Sequence, residues 1–339
     1  MKFLLKELVL ASAVGLVLAD NYSGDCQKIY NNLKKKNYGD NLHSCITNEK
    51  GSVVELEVNA LNDLIKDNAL TIPKSLNKLV IDDTLIEQFV IDDISKLSNL
   101  KELSFVRTSS NNTLDLKSFK KLSNLSSLYI SNSYGQTTVK KYVNPSYLKS
   151  FNNLKKFEAE EYIFSQEAIY AFSSLTNLEE LTFTKCGFDE DLDTSSFGDL
   201  TKLKSFNMVG TTQYCLDKID RTGNNFCPLD EIPESLFTIE GLKKLVYKDQ
   251  KELDFTAIED IGELTQLEYL NLYFNDIKTI PSAIGNLKNL EEINLHSNPI
   301  SSLPSSFEKL QKLKKLDIDS TNIKSIPEYL ANRQNLEIM

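Results

Sequence analysis

Residues 267–335 form three consecutive copies of one pattern: LEYLNLYFNDIKTIPSAIGNLKN, LEEINLHSNPISSLPSSFEKLQK and LKKLDIDSTNIKSIPEYLANRQN. Each copy is 23 residues long, and the shared frame is L-x-x-L-x-L-x-x-N-x-I-x-x-I/L-P. Followed towards the N-terminus, units start at Val53, Leu76, Leu100, Leu125, Leu154, Leu178, Leu203, Leu242, Leu267, Leu290 and Leu313, and a twelfth begins at Leu336 and is cut off. A fixed period of this size constrains the fold more than any other feature of the chain. In x-L-x-L-x, alternate side chains of a short strand point to opposite faces, so the leucines turn inward and the x positions turn out. One unit cannot bury its own apolar face. Stacked units can, by pairing their strands in parallel over a continuous core.

Spacing and residue type agree over eleven units, and on that ground the chain resembles the leucine-rich-repeat family across residues 53–339. The resemblance implies an α/β right-handed solenoid, a horseshoe with a parallel β-sheet on the concave face and 3₁₀ turns, short helices and loops on the convex face. At the ninth position Asn275 and Asn298 turn the chain out of the strand, and their amides can satisfy backbone groups that would otherwise be buried without partners. Cys186, in LEELTFTKC, occupies the same slot and reads as a buried scaffold thiol. The upstream units are degenerate, with Phe157, Ala159 and Met208 at core positions.

Before the first unit, DCQKIYNNLKKKNYGDNLHSCITNEKGSVVELEV looks like the N-terminal cap of plant-type extracellular leucine-rich-repeat proteins, although it lacks their tryptophan. The resemblance implies a Cys26–Cys45 disulfide. A second disulfide, Cys215–Cys227, is the natural reading of the two cysteines that flank an insertion near residues 212–232, inside an anomalous 39-residue step. A metal site is the competing reading there, without a histidine or further cysteine to complete it. At the start, Lys2 and Lys6 precede an apolar run from Leu8 to Leu18, with small residues at Val17 and Ala19. These are the parts of a secretory signal peptide over residues 1–19. The expected organisation is therefore signal 1–19, cap 20–52 and solenoid 53–339, in a secreted chain that is extracellular or wall-associated.

The chain carries a net charge of −10, and removal of a signal with net +1 leaves −10 − 1 = −11. Such a chain is repelled by phosphate backbones, so nucleic acid is excluded as a partner class, and no later segment is apolar enough for membrane insertion. There are only two histidines, His43 and His296, and no G-x-S-x-G, H-E-x-x-H or phosphate loop, so no cofactor or metal is implied. The carboxylate pairs Glu160–Glu161 and Glu291–Glu292 could serve a glycosidase. Glu291 and Glu292 also stand at the repeat positions of Lys314 and Lys315 one unit later, which suits cross-strand ion pairs. No enzyme is expected.

Function then falls to the outward fifth, seventh and eighth positions of the strands. Aromatic and polar residues gather late on this face: Asn271, Tyr273, Phe274, Asn294, His296, Asp317 and Asp319, with Tyr129 and Lys248 upstream. Exposed aromatics among amides and acids suit a contact surface for a protein. A cell-wall glycan, bound as by polygalacturonase-inhibiting proteins, is the alternative, and the mixed-to-acidic face argues against an anionic one. Sequons at Asn21, Asn111 and Asn124 are expected glycosylation sites. The open C-terminal edge, where the repeat breaks off, is expected either to be a fragment end or to self-associate.

Overall fold

The computed structural model describes residues 22–108, 115–132, 148–189, 192–210, 229, 231–250 and 259–339. The expected signal segment, Asn21, Asn111, Cys215, Cys227 and most of the 212–232 insertion lie outside the described residues. Among the described residues the main sheet has thirteen strands whose spatial order follows the chain, from Leu42–Thr47 to Glu337–Ile338. The strands pair in parallel, except that Leu42–Thr47 runs antiparallel to Val53–Asn59. Fourth positions face fourth positions from strand to strand: Leu79 opposite Leu103, Phe157 opposite Leu181, Ile293 opposite Leu316. All six are buried.

The convex side is built from short turns whose start is written in the sequence. Pro233, Pro281, Pro304 and Pro327 each sit immediately before a turn with φ between −53° and −66°. The proline ring imposes that angle. Each proline carbonyl then accepts the first turn bond, from Leu236, Ile284, Phe307 and Leu330. The first three turns are 3₁₀ helices and the fourth, Glu328–Ala331, is α-helical. Every one drives a buried apolar residue under the sheet.

Two side-chain ladders run along the solenoid. At the ninth position Asn275 Nδ2 donates to the carbonyls of Tyr247 (2.8 Å) and Leu272 (2.9 Å), and its Oδ1 accepts from the Gln250 amide (2.8 Å). Asn298 repeats this one unit later. The second ladder uses the residue just before each first leucine. Asn99, Asn124, Asn153, Asn177 and Asn289 each donate to a carbonyl of the preceding unit, those of Lys74, Ser98, Ser123, Asn152 and Thr265. The first ladder satisfies buried backbone groups that stacking would otherwise leave without partners, and the second, at exposed positions, ties each turn to the one before it.

Cys186 is 6% exposed and hydrogen-bonds through Sγ to the carbonyls of Ala159 (3.3 Å) and Thr184 (3.5 Å). Burial pushes its thiol up to about 12. The reactive thiolate is therefore scarce at neutral pH. Iodoacetamide at mildly alkaline pH is expected to leave Cys186 unmodified in the native protein and to alkylate it in denaturant. Peptide mapping showing native modification at Cys186 would overturn its place as a scaffold residue.

The N-terminal end is covered by the helix Gly24–Lys35 and the antiparallel strand, joined by a Cys26–Cys45 disulfide. Closing a loop with a sequence separation of 19 contributes about 3 kcal/mol by restricting the unfolded chain. At the other end the register departs from the sequence frame. Ile338, rather than Met339, lies opposite Leu316. The convex turn of this unit is α-helical, and the Arg333 guanidinium donates to the carbonyls of Leu310 (2.6 Å) and Glu308 (2.8 Å) of the preceding unit. Short as it is, this last strand leaves Leu313, Leu316 and Ile318 buried.

Candidate functional site

The face opposite the core is formed by the fifth, seventh and eighth positions of successive strands. Its backbone has a feature that the sequence frame does not announce. In nine units the eighth residue is not glycine and takes a left-handed conformation: Ala60, Asp83, Arg107, Glu161, Lys185, Asp249, Phe274, Ser297 and Ser320, with φ between +41° and +61°. That region is unfavourable for residues with a Cβ. Here it swings the chain out of the strand so that the ninth side chain returns to the core.

Towards the C-terminal end this kink lifts an aromatic pair into solvent. Tyr273 is 36% and Phe274 45% exposed. Their ring centroids are 5.8 Å apart, and the His296 ring on the next strand lies 5.1 Å from Tyr273. On its other side, His296 Nδ1 is 3.6 Å from Asp317 and 3.5 Å from Asp319. Asn271 and Asn294 do not reach out to complete the group. Their Oδ1 atoms accept from the amides of Tyr273 and His296, both at 2.9 Å, and fix the backbone on which those rings stand. Asp317 does the same for the amide of Asp319 (3.2 Å). The fifth position is thus a bracket for the seventh.

The remaining expected contact residues are placed differently. Tyr129 is half-buried and donates its hydroxyl to Glu160 (2.6 Å). Burial, and after it this carboxylate, push the phenol well above its ordinary value. Lys248 closes the strand Lys244–Lys248, a strand apart from Tyr273, and is half-buried. Not every outward position reaches solvent, because Val80 and Val246, both fifth residues, are buried. Asn124 is exposed, with its amide nitrogen engaged in the second ladder.

A second charged group lies at the N-terminal end of the face. Arg107 reaches back from an eighth position to Asp82, and His43 of the cap strand lies 3.8 Å from Glu57 and 3.9 Å from Asp82. A hydrogen bond to Glu57 raises the His43 pKa, and burial raises that of Asp82. Glu57 and Asp82 were already outward positions of the repeat. His43 was missed because the cap had not been read as a strand lying alongside them.

Three of the four paired carboxylates are tied into the scaffold. Glu291 bonds Lys314 at 2.7 Å, Glu161 stands 3.6 Å from Lys185, and Glu160 receives the Tyr129 hydroxyl. Among the described residues no group of three or more His, Cys, Asp or Glu is arranged to hold a metal ion. Nor is any helix there long and apolar enough to cross a membrane.

Residues 223–339 match the family model described as a leucine-rich repeat region. No curated protein matches the chain in sequence. Among solved structures the fold is similar to an internalin (inlF) from Listeria monocytogenes str. 4b F2365, with a TM-score of 0.52 and 19% identity over 93% of this chain and 94% of that one. It is also similar to the plant peptide hormone receptor RGFR1 in complex with RGF2, with a TM-score of 0.53 and 16% identity over 87% of this chain. The match spans 51% of that receptor chain. At these identities the likeness is one of fold. The repeat frame, the parallel sheet it builds and the family model matched over residues 223–339 give this chain the leucine-rich-repeat fold.

Proposed function

We infer that the chain is a non-catalytic recognition module of the extracellular space, binding a protein partner on its concave face. The observation that carries this reading is the cluster of Tyr273, Phe274 and His296, rings in mutual contact and open to solvent on a rigid sheet. Exposed aromatics with few rotatable bonds, held on a stiff backbone, are the usual anchors of protein interfaces. Of the carboxylates that could have served hydrolysis, Glu291 and Glu161 face lysines and Glu160 takes a tyrosine hydroxyl. The apolar leader pattern of the first residues and the Cys26–Cys45 disulfide support an oxidising, extracellular setting. A structure of similar fold is that of a plant peptide hormone receptor in complex with RGF2, which is in keeping with a polypeptide ligand for this architecture. The case for this chain rests on its own face. An anionic wall glycan fits less well, because Asp317 and Asp319 border the cluster.

Replacing Tyr273, Phe274 and His296 together by alanine is expected to leave the circular dichroism spectrum unchanged. Truncating anchors of this kind costs about 2 kcal/mol or more in binding, roughly a 30-fold loss of affinity. The measurement is affinity for a partner captured from extracellular fluid with the wild-type protein. Unchanged affinity in the triple variant would place the binding surface elsewhere.

A further inference from the structure

The cap strand does not pair evenly with its neighbour. Leu42 lies opposite Val58 and Ser44 opposite Glu57, so His43 is an extra residue, a bulge in the strand Leu42–Thr47. A bulge re-aims the side chain that it carries. Here it sets the His43 ring against the concave face, with Nδ1 3.8 Å from Glu57 and 3.9 Å from Asp82. The ring is partly screened from water, its side chain 33% exposed.

The Asp82 side chain is only 9% exposed, and among the described residues its Oδ1 accepts no hydrogen bond. Arg107 binds its Oδ2. Glu57, Asp82 and Arg107 stand on three successive strands, Val53–Asn59, Lys78–Asp82 and Glu102–Thr108, and are the charged groups that face His43. With the imidazole protonated, two positive charges answer two negative ones. With it neutral, Arg107 alone answers both. A buried carboxylate short of compensation is costly. Neighbouring ties of the cap strand do not titrate. Asn41 donates to Asn59 (2.5 Å), and the Cys26–Cys45 disulfide holds the strand to the helix Gly24–Lys35.

We propose that His43 is a pH-operated latch: its charged form clamps the cap strand to the first two strands of the solenoid, and its neutral form releases the clamp, so the cap loosens as the medium passes from acid to mildly alkaline. Histidine is the side chain that changes charge between about pH 5 and 8. The direction is fixed by its partners. A hydrogen bond to Glu57 raises the His43 pKa. A group raised in this way stabilises the fold fully below its unfolded value of about 6.5, and the contribution fades as pH rises through the folded value. The disulfide limits the release to local opening of the strand.

The test is amide hydrogen exchange of the whole chain at about pH 5.5 and about pH 8, corrected for intrinsic exchange rates. Peptides covering residues 42–47 are expected to be roughly threefold better protected in the acid sample, the scale of a partly exposed ion pair. Peptides from residues 178–209, in the middle of the stack and away from both histidines, are the internal reference and should not follow. His43→Gln should abolish the difference and leave the cap strand at its alkaline level of protection in both samples. His43→Lys, charged in both, should hold it at the acid level. A difference that survives His43→Gln, one shared equally by the reference peptides, or none in the wild type overturns the proposal. If the glutamine variant does not fold, the His43 ring followed by NMR in the wild type decides. The chain has only two histidines, so a His296→Gln variant assigns the signal. A titration midpoint above about 6.5 supports the latch, and one at or below it overturns it.

Discussion

Phe183→Ala is expected to lower the free energy of unfolding by about 4 kcal/mol, within the usual range for deleting a buried phenylalanine. Phe183 is the sixth residue of its unit, where the clearest repeats carry leucine, and it is fully buried. Its ring lies 4.9 Å from Phe164, 5.4 Å from Phe188, 5.7 Å from Phe172, 6.2 Å from Phe197 and 6.1 Å from Phe206. Several of these contacts are edge-to-face, which adds to simple area burial. The five partners come from its own unit and from both neighbours, so the cavity would open at the middle of the stack, where rings have no room to collapse independently. Phe183→Leu restores the residue type of the repeat and should cost about half as much. Urea unfolding followed by far-ultraviolet circular dichroism measures both. A loss below 1 kcal/mol for the alanine variant would show that the aromatic cluster does not hold these units together.

Asn298→Ala is expected to cost about 3 kcal/mol, although the side chain is small and no charge is involved. Asn298 is 1% exposed. Its Nδ2 donates to the carbonyls of Leu272 (2.7 Å), Leu295 (2.9 Å) and His296 (3.2 Å), and its Oδ1 accepts from the amides of Asn275 and Ile277, both at 3.2 Å. Alanine abandons these backbone groups in a place water does not reach, and each stranded group costs about 1–3 kcal/mol before relaxation. Asn298→Cys provides the sharper comparison. Cys186 fills this slot elsewhere with a thiol that meets two carbonyls. A thiol in place of Asn298 should therefore recover part of the loss, chiefly on the carbonyl side, because sulfur is a weak acceptor. Hydrogen exchange should show the amides of Asn275 and Ile277 losing protection first. Equal stability of the alanine variant and the wild type would mean that the ladder is ornamental.

Much of the candidate site was legible before any coordinates. The outward positions follow from a period of two along each strand, so Tyr273, Phe274, His296, Asp317 and Asp319 could be placed on one face by counting. Counting could not distinguish the residues that reach outward from those that brace them. Asn271, Asn294 and Asp317 turn their oxygens onto the backbone two residues ahead, a local bond that competes with outward display. Nor could it show that Tyr129 is held by Glu160 from the adjacent strand, since that bond exists only in the register of the assembled sheet.

The amino-acid sequence by itself determined the repeat, the strand face that is buried, the start of each proline-led turn and the slot of Cys186. All of these are set by interactions within a unit or by a period that recurs along the chain. The tertiary structure alone decided which carboxylates are neutralised, how His43 joins Asp82 and Arg107, and where the last strand takes its register. Those outcomes depend on distances between residues some 20 to 60 positions apart, which are fixed only when neighbouring units stack and the cap strand folds back against them.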